Sequence, residues 1–132
     1  MIKNYTLTPF KGANPLPRYI EGIKEYTLIG VIENSYEIVL AKLTVGKSKN
    51  DLVHALFESF DDHGRRMATA RTRAGGFDRE FTAVKNAMRY VGIEFGDVTL
   101  CSSESLIKSL GAWFCKHNPE IKSCYVMSQI SP

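Results

Sequence analysis

The chain has 132 residues, of which 44% are hydrophobic and 23% are charged, with a formal net charge of +3. These proportions are close to the globular average and exclude a disordered class, and no apolar run approaches the roughly 18–20 residues that cross a bilayer. A net charge of +3 is too small for a general nucleic-acid coat. The length fits one domain over residues 1–132. We expect a cytoplasmic protein, because the first residues lack a signal-peptide pattern.

The three cysteines are Cys101, Cys115 and Cys124. Their odd number and long intervals are not typical of a disulfide framework or of a C-x-x-C metal site. Small, buried thiols in a reducing compartment are the simpler interpretation. We therefore predict neither a metal ion nor a cofactor.

The N-terminal third of the chain gives a mixed signal. Three prolines in residues 1–18 predict an extended arm. Residues 18–26 suit a short helix after the last of these prolines. Residues 27–32 are apolar and partly β-branched, which fits a strand as well as a continuation of that helix. The sequence leaves both possibilities open.

Residues 36–74 predict a meander of three antiparallel strands. The first strand, residues 36–45, is rich in Ile, Val, Leu and Thr. The second, residues 52–61, alternates between two faces, and the third, residues 65–74, alternates basic or hydroxyl residues with small apolar ones. A polar loop and an Asp-Asp-His-Gly turn join them.

A helix is predicted directly after this meander. The apolar residues recur at steps of three and four, which places them on one helix face: Phe77, Phe81, Val84, Met88 and Val91. Asp78 stands at the position of an N-cap, and Gly92 at the position of a C′ glycine. The helix therefore spans residues 78–91, with Phe77 more consistent with a core position than with an exposed one.

A second helix and a last strand complete the prediction. Ser102 or Ser103 begins the helix, and Asn118 followed by Pro119 ends it. Its buried stripe consists of Leu106, Leu110, Trp113 and Phe114. Residues 122–130 alternate as a strand added to the meander. The predicted fold class is α+β, a small antiparallel sheet with two helices packed on one face.

The strand, turn and helix around Gly75 form a candidate anion site. Arg71 and Arg73 are two residues apart and therefore project from one sheet face. The Gly75-Gly76 turn lets a ligand approach the backbone, and the first helical turn offers unpaired N–H donors. The candidate ligand-binding residues are Arg71, Arg73, Gly75, Gly76, Phe77, Asp78 and Arg79. Solvated arginines and ordinary turn glycines are the simpler alternative.

Catalysis has weaker support in the sequence. His54, His63 and His117 are scattered, and none accompanies a nucleophile motif. We therefore predict a protein that is not an enzyme, with no catalytic residues. The enzyme alternative is a phosphodiesterase that uses His54 or His63.

Self-association is also expected. A sheet of three to five strands leaves at least one open edge. Aromatic residues are concentrated in the first forty positions, where they can serve as core, as an interface or as stacking platforms: Tyr5, Phe10, Tyr19, Tyr26 and Tyr36. These two features predict a homo-oligomer.

The turn and the start of the first helix have the sequence Ala74-Gly75-Gly76-Phe77-Asp78-Arg79-Glu80, followed by Ala83-Val84. This segment resembles an Ala-Gly-Gly-aromatic-Asp-Lys motif found before a helix in small accessory proteins of phages and prophages, with Arg79 in place of the lysine. The resemblance implies a mobile-element origin and non-enzymatic work against host defences in the host cytoplasm. Such proteins include sponges for nucleotide immune messengers, as in Thoeris anti-defence, and anti-CRISPR proteins that block a nuclease by contact.

The basic strand and glycine turn favour the first of these activities. We predict an anti-defence protein that sequesters a phosphate-bearing nucleotide, an immune second messenger. One alternative is a protein inhibitor of a host defence complex such as a CRISPR effector. The other is a nucleic-acid-binding accessory protein whose arginines follow a phosphate backbone.

Overall fold

A computed structural model of the chain describes residues 15–33, 36–93 and 101–130. The elements in chain order are β1 (Glu21–Val31), β2 (Glu37–Lys47), β3 (Val53–Phe60), β4 (Arg66–Ala74), α1 (Arg79–Tyr90), α2 (Ser103–His117) and β5 (Ser123–Ile130). The strands form one antiparallel sheet in the order β4-β3-β2-β1-β5. The predicted α+β class is confirmed.

The predicted meander corresponds to β2, β3 and β4. Leu43 of β2 pairs with Phe57 of β3, which pairs with Ala70 of β4. The three side chains therefore point to the same side of the sheet, where Leu43 and Phe57 are fully buried. In the β3–β4 turn, the Asp61 carboxylate accepts the backbone N–H groups of residues 63 and 65 at 2.9 and 2.8 Å. This Asp turn fixes the register of β4.

The helix interpretation of residues 18–26 is wrong, because Glu21–Val31 form one long strand. β1 lies between β2 and β5 and pairs with both over most of its length. Its alternation is disturbed at the start, where the register shifts between Glu21 and Lys24 and Gly22 has a φ of 60°. Because of this bulge, the start of β1 does not show the two-residue period of a strand. Pairing with a strand on each side stabilises β1 even where its local propensity is weak. Residues 1–14 of the predicted arm lie outside the described residues.

The predicted last strand is β5, which extends the sheet beyond β1. Its eight residues pair with β1 without interruption, from Lys24 opposite Ile130 to Val31 opposite Ser123. β4 and β5 are therefore the two outer strands of the described sheet.

Both helices cover one side of the sheet, which we call the helix face. α1 buries Ala83, Val84, Ala87 and Met88, and α2 buries Leu106, Ile107, Leu110 and Phe114. They pack on Leu28, Leu43 and Phe57 in one apolar cluster. The predicted stripe of α2 is confirmed, with Trp113 partly buried at its margin. Ser102 is the N-cap of α2, and its Oγ accepts the N–H of Ser105 at 3.1 Å.

The two ends of α1 differ from each other. At the C-terminus, Gly92 has a φ of 90°, its N–H donates to the carbonyl of Arg89 at 2.9 Å, and the N–H of Ile93 donates to Met88 at 3.0 Å. This pair of bonds is a Schellman motif, so the predicted C′ glycine is confirmed. At the N-terminus, Asp78 has left-handed backbone angles and makes no side-chain cap hydrogen bond. The predicted N-cap position of Asp78 is therefore confirmed, but its carboxylate does not cap the helix.

Phe77 is 92% exposed, so its predicted core position is also wrong. The left-handed backbone of Asp78 (φ 60°, ψ 25°) turns the chain between Phe77 and the first helical residue, Arg79. Phe77 therefore does not share the apolar face of Val84 and Met88, although its spacing in the sequence matches that face.

The other side of the sheet, which we call the open face, is covered by neither helix. The segment before β1 lies against it: Ile20 is buried, and a Cβ at Gly46 of β2 would collide with the Ile20 side chain. The carbonyl of Pro15 accepts a hydrogen bond from the Arg71 Nη1 of β4 at 2.9 Å. Residues 15–20 therefore cross the open face from β4 toward β2 before β1 begins.

Candidate functional site

Two of the arginines between residues 65 and 79 are neutralised close to the β3–β4 turn. Arg65 Nε lies 3.0 Å from Asp61 Oδ2, and Arg66 Nη1 lies 3.2 Å from Glu58 Oε2. Both carboxylates precede the arginines in the chain and reach them through the hairpin. These two cations are therefore committed to local ion pairs.

Arg79 is neutralised from the β2–β3 loop. Its Nη2 lies 3.2 Å from Asp51 Oδ1, and the Lys47 Nζ lies 2.7 Å from the same oxygen. The hydrogen bond from Lys47 and the charge of Arg79 lower the pKa of Asp51. A cation in the first turn opposes the helix dipole, and Asp51 compensates for it here. Arg79 is therefore directed away from Arg71 and Arg73.

Arg71 and Arg73 have no carboxylate partner within the part of the chain that the structure describes. Both are exposed, and the Arg71 Nη1 donates to the Pro15 carbonyl at 2.9 Å. Thr72 between them donates its hydroxyl to the Ala83 carbonyl of α1, so the flanking arginines leave β4 toward the open face. The predicted common face of the two arginines is confirmed, and they are the two of the five arginines without an ion pair to another described residue.

A groove lies along the outer edge of β4 beside α1. It has a volume of about 360 Å³ and is lined by Ala70, Arg71, Thr72, Arg73, Asn86 and Tyr90. Ligand pockets commonly have volumes of roughly 300–1,000 Å³, so the space suits a small ligand. Asn86 and Tyr90 lie one helical turn apart on the flank of α1, and the Tyr90 side chain is 63% exposed.

Asn86 and Tyr90 are absent from the site predicted from the sequence. Their spacing of four places them on one helix side, and that signal was present in the sequence. However, the apolar stripe of α1 shows only which side is buried. Which flank then lies beside β4 depends on the hairpin and on the direction in which α1 crosses the sheet.

The Gly75-Gly76 turn has a local explanation. Gly76 has a φ of 83°, which strongly favours glycine, and a Cβ at Gly75 would lie 2.9 Å from Leu52 Cδ2. The turn leads α1 onto the helix face, whereas Arg71 and Arg73 project from the open face. The arginine side chains and the start of α1 therefore lie on opposite sides of the sheet, and the groove follows the β4 edge between the two faces.

His54 is the residue opposite Arg73 in the neighbouring strand β3. Its side chain is 6% exposed, and no hydrogen bond or ion pair joins it to another described residue. Burial lowers the pKa of His54, and the positive charges of Arg71 and Arg73 lower it further. Because the two cations help to lower this pKa, an anion that neutralises them should raise it.

The three histidines are far apart in the fold. His54 lies in β3, His63 in the β3–β4 turn near Asp62, and His117 at the end of α2 against Trp113. Among the described residues, no group of three His, Cys, Asp or Glu side chains is arranged to hold a metal ion.

Two cysteines that are nine residues apart in the sequence lie next to each other in the fold. Cys115 Sγ of α2 lies 3.5 Å from Cys124 Sγ of β5, and both are free thiols. Burial, together with the hydrogen bond to Cys115, raises the pKa of Cys124 to about 12. Cys124 is therefore a protonated, poorly nucleophilic thiol at neutral pH.

Comparison of the chain with protein-family models, curated proteins and solved structures finds no match. None of the helices in the described ranges is long and apolar enough to cross a membrane.

Proposed function

We propose that the groove beside β4 binds a phosphate-bearing ligand of nucleotide type and holds it without changing it chemically. The observation that carries this proposal is the selective pairing of the arginines. Three of the five are held by carboxylates, and the two without such a partner among the described residues, Arg71 and Arg73, line one groove.

The β4 edge offers groups that suit a nucleotide, with the two arginines reaching it from the open face and Asn86 and Tyr90 from the helix face. A guanidinium group donates two parallel hydrogen bonds to phosphate oxygens, and two of them can bind one or two phosphates. The exposed ring of Tyr90 offers an aromatic surface on which a base can stack. The amide of Asn86 can both donate and accept hydrogen bonds at a base edge. None of these groups transfers protons readily at neutral pH, which favours binding over turnover.

Sequestration is the role that such binding would serve. The resemblance of residues 74–84 to phage accessory proteins suggests an immune second messenger as the nucleotide, taken up in the host cytoplasm. In this proposal Gly75, Gly76, Phe77 and Asp78 shape the end of β4, and the exposed Phe77 ring is available to a ligand that extends beyond the groove.

The test is calorimetry with a panel of linear and cyclic mono- and dinucleotides, together with mass spectrometry of small molecules that co-purify with the protein. We expect Arg71→Ala/Arg73→Ala to weaken binding about a hundredfold or more, because each charge-assisted hydrogen bond contributes about 1.5–3 kcal/mol. The matched control is Arg65→Ala/Arg66→Ala, which also removes two positive charges but takes them from arginines that are already paired with carboxylates. The control should bind like the wild type.

Two results would contradict the proposal. If the folded Arg71→Ala/Arg73→Ala variant keeps the same ligand at the same occupancy, the site lies elsewhere. If wild-type protein binds no nucleotide and carries none from cells, inhibition of a host protein by surface contact becomes the better hypothesis.

The salt dependence separates a small ligand from nucleic acid. A ligand with two or three phosphates releases few counterions, so its affinity falls gently with salt. Binding to a nucleic-acid backbone would fall steeply with salt and would be weakened in both double variants. Recovery of a cleaved nucleotide would instead indicate a phosphodiesterase.

A further inference from the structure

The outer strand β5 has an unusual composition for a sheet edge. Its eight residues, Ser123-Cys124-Tyr125-Val126-Met127-Ser128-Gln129-Ile130, include no charged residue, no proline and no glycine. Its pairing with β1 has no bulge. Edge strands usually carry charges, prolines or bulges that prevent pairing with another chain, and β5 has none of these.

Apolar side chains accompany this unprotected backbone. Met127 is 57% exposed, Ile130 is 67% exposed and Tyr125 is 39% exposed. Val126 packs on the core of the helix face, so Tyr125 and Met127 project from the open face. A strand added beside β5 would cover part of all three side chains.

The opposite edge has the contrary composition. β4 carries Arg66, Arg71 and Arg73 in nine residues, and all three are exposed. Two copies that met through β4 would bring these cations together, which is unfavourable. The described sheet therefore has one edge that resists self-pairing and one that permits it.

We propose that β5 pairs antiparallel with β5 of a second copy of this chain, about a two-fold axis perpendicular to the sheet. The two sheets then join into one sheet of ten strands. Because the axis keeps both helix faces on the same side, each α2 stays on its own β5. The arrangement satisfies the outward backbone groups of β5 and covers Met127 and Tyr125.

A second copy suits this edge for two reasons. A strand without charge places no like charges opposite each other when it pairs with itself. In addition, pairing of two copies occupies both β5 edges and leaves the two arginine-bearing β4 strands at the outside. The assembly therefore closes as a dimer. The grooves beside β4 lie at the far ends of the joined sheet, so dimerisation and nucleotide binding are independent.

The test is sedimentation equilibrium of the full chain over about a hundredfold range of concentration, which brackets a weak two-strand interface. We expect the mass to rise from 14.8 kDa to twice that value. Met127→Lys should remain monomeric throughout, because the substitution places two ammonium groups close to the two-fold axis. In the monomer this lysine extends from the open face into solvent. Gln129→Lys provides a second charged variant if Met127→Lys fails to fold.

Val39→Lys is the matched control. Val39 is an exposed apolar residue on the same open face, opposite Ile29, but it lies on the interior strand β2. It should dimerise like the wild type. If Val39→Lys abolishes the dimer and Met127→Lys keeps it, the copies stack through the open face and the edge pairing is wrong.

Hydrogen exchange tests the backbone part of the proposal. Amide exchange in residues 123–130 should slow as wild-type concentration rises, and should not do so in Met127→Lys. A wild type that is monomeric at every concentration, or that grows past the dimer without limit, would overturn the proposal.

Discussion

The outer strands β4 and β5 occupy equivalent places in the sheet and have opposite chemistry. Each has one β neighbour among the described residues, and each is supported by one helix, β4 by α1 and β5 by α2. β4 carries three exposed arginines, whereas β5 carries no charge. Charge on an edge both prevents pairing with another strand and supplies groups for an anion, so protection and ligand binding arise from the same residues on β4.

The exposed apolar side chains of β5 indicate a pairing edge only if β5 is packed as firmly on the core as β4. The buried side of β5 rests on α2 through Val126 and Cys124, and Phe114 is a fully buried ring of α2 in the same cluster. A loosely held strand would expose apolar side chains because it is poorly packed, and that alone would account for its surface.

The largest expected effect is therefore on stability at this end of the sheet. Phe114→Ala should lower the free energy of unfolding by about 3–5 kcal/mol, because it leaves a cavity at a fully buried site. Urea denaturation followed by circular dichroism measures it. The control Phe77→Ala removes a ring that is 92% exposed and should change stability by no more than about 0.5 kcal/mol. A small effect of Phe114→Ala would show that β5 is weakly attached.

The next prediction concerns pH at the β5 end. Burial raises the pKa of Cys124 to about 12 from an ordinary value of 9.0. Above pH 9 the unfolded chain loses this proton while the folded chain keeps it, so the free energy of unfolding should fall as the pH rises toward 12. Cys124→Ala should flatten that fall, and Cys101→Ala should leave it unchanged. Denaturation at a series of alkaline pH values checks both variants.

A smaller effect is expected in the turn that ends β4. Gly76→Ala should cost about 1–2 kcal/mol, because a side chain is disfavoured at left-handed backbone angles. Nothing lies within 4 Å of the added Cβ and φ is 83°, so the cost is conformational rather than steric. Nucleotide affinity should not change, since the groove is lined by other residues. If affinity falls while stability holds, the glycine serves the ligand, as the sequence first suggested.

The sequence was sufficient for elements with an undisturbed period. Residue composition predicted β2, alternation predicted β3, β4 and β5, and apolar steps of three and four predicted α1 and α2. It failed at the start of β1, where the bulge near Gly22 breaks the alternation. It also failed at Phe77, since spacing cannot reveal that Asp78 turns the chain before the helix begins.

The candidate site was harder to predict because it depends on distant partners. Counting charges between residues 65 and 79 finds only Asp78 as an acid, yet Asp51 and Glu58 approach Arg79 and Arg66 through the fold. The pairs are 28 and 8 residues apart in the chain. Which arginines remain available to a ligand is therefore a property of the tertiary structure.

The last prediction uses His54 to report on the β4 edge. Because the charges of Arg71 and Arg73 help to lower the pKa of His54, Arg71→Ala/Arg73→Ala should raise it, and so should saturation of the wild type with a phosphate-bearing ligand. NMR titration of the imidazole measures both changes.

The lowered pKa of His54 also makes stability depend on pH. The folded pKa of His54 lies below its ordinary value of 6.5, so the unfolded chain takes up the proton first. The free energy of unfolding should therefore fall as the pH drops below 6.5, and the double variant should lose less of it. Arg65→Ala/Arg66→Ala, with the same change in net charge, should leave the His54 pKa in place. If both double variants raise it equally, His54 senses overall charge, and β4 has no special pair of cations.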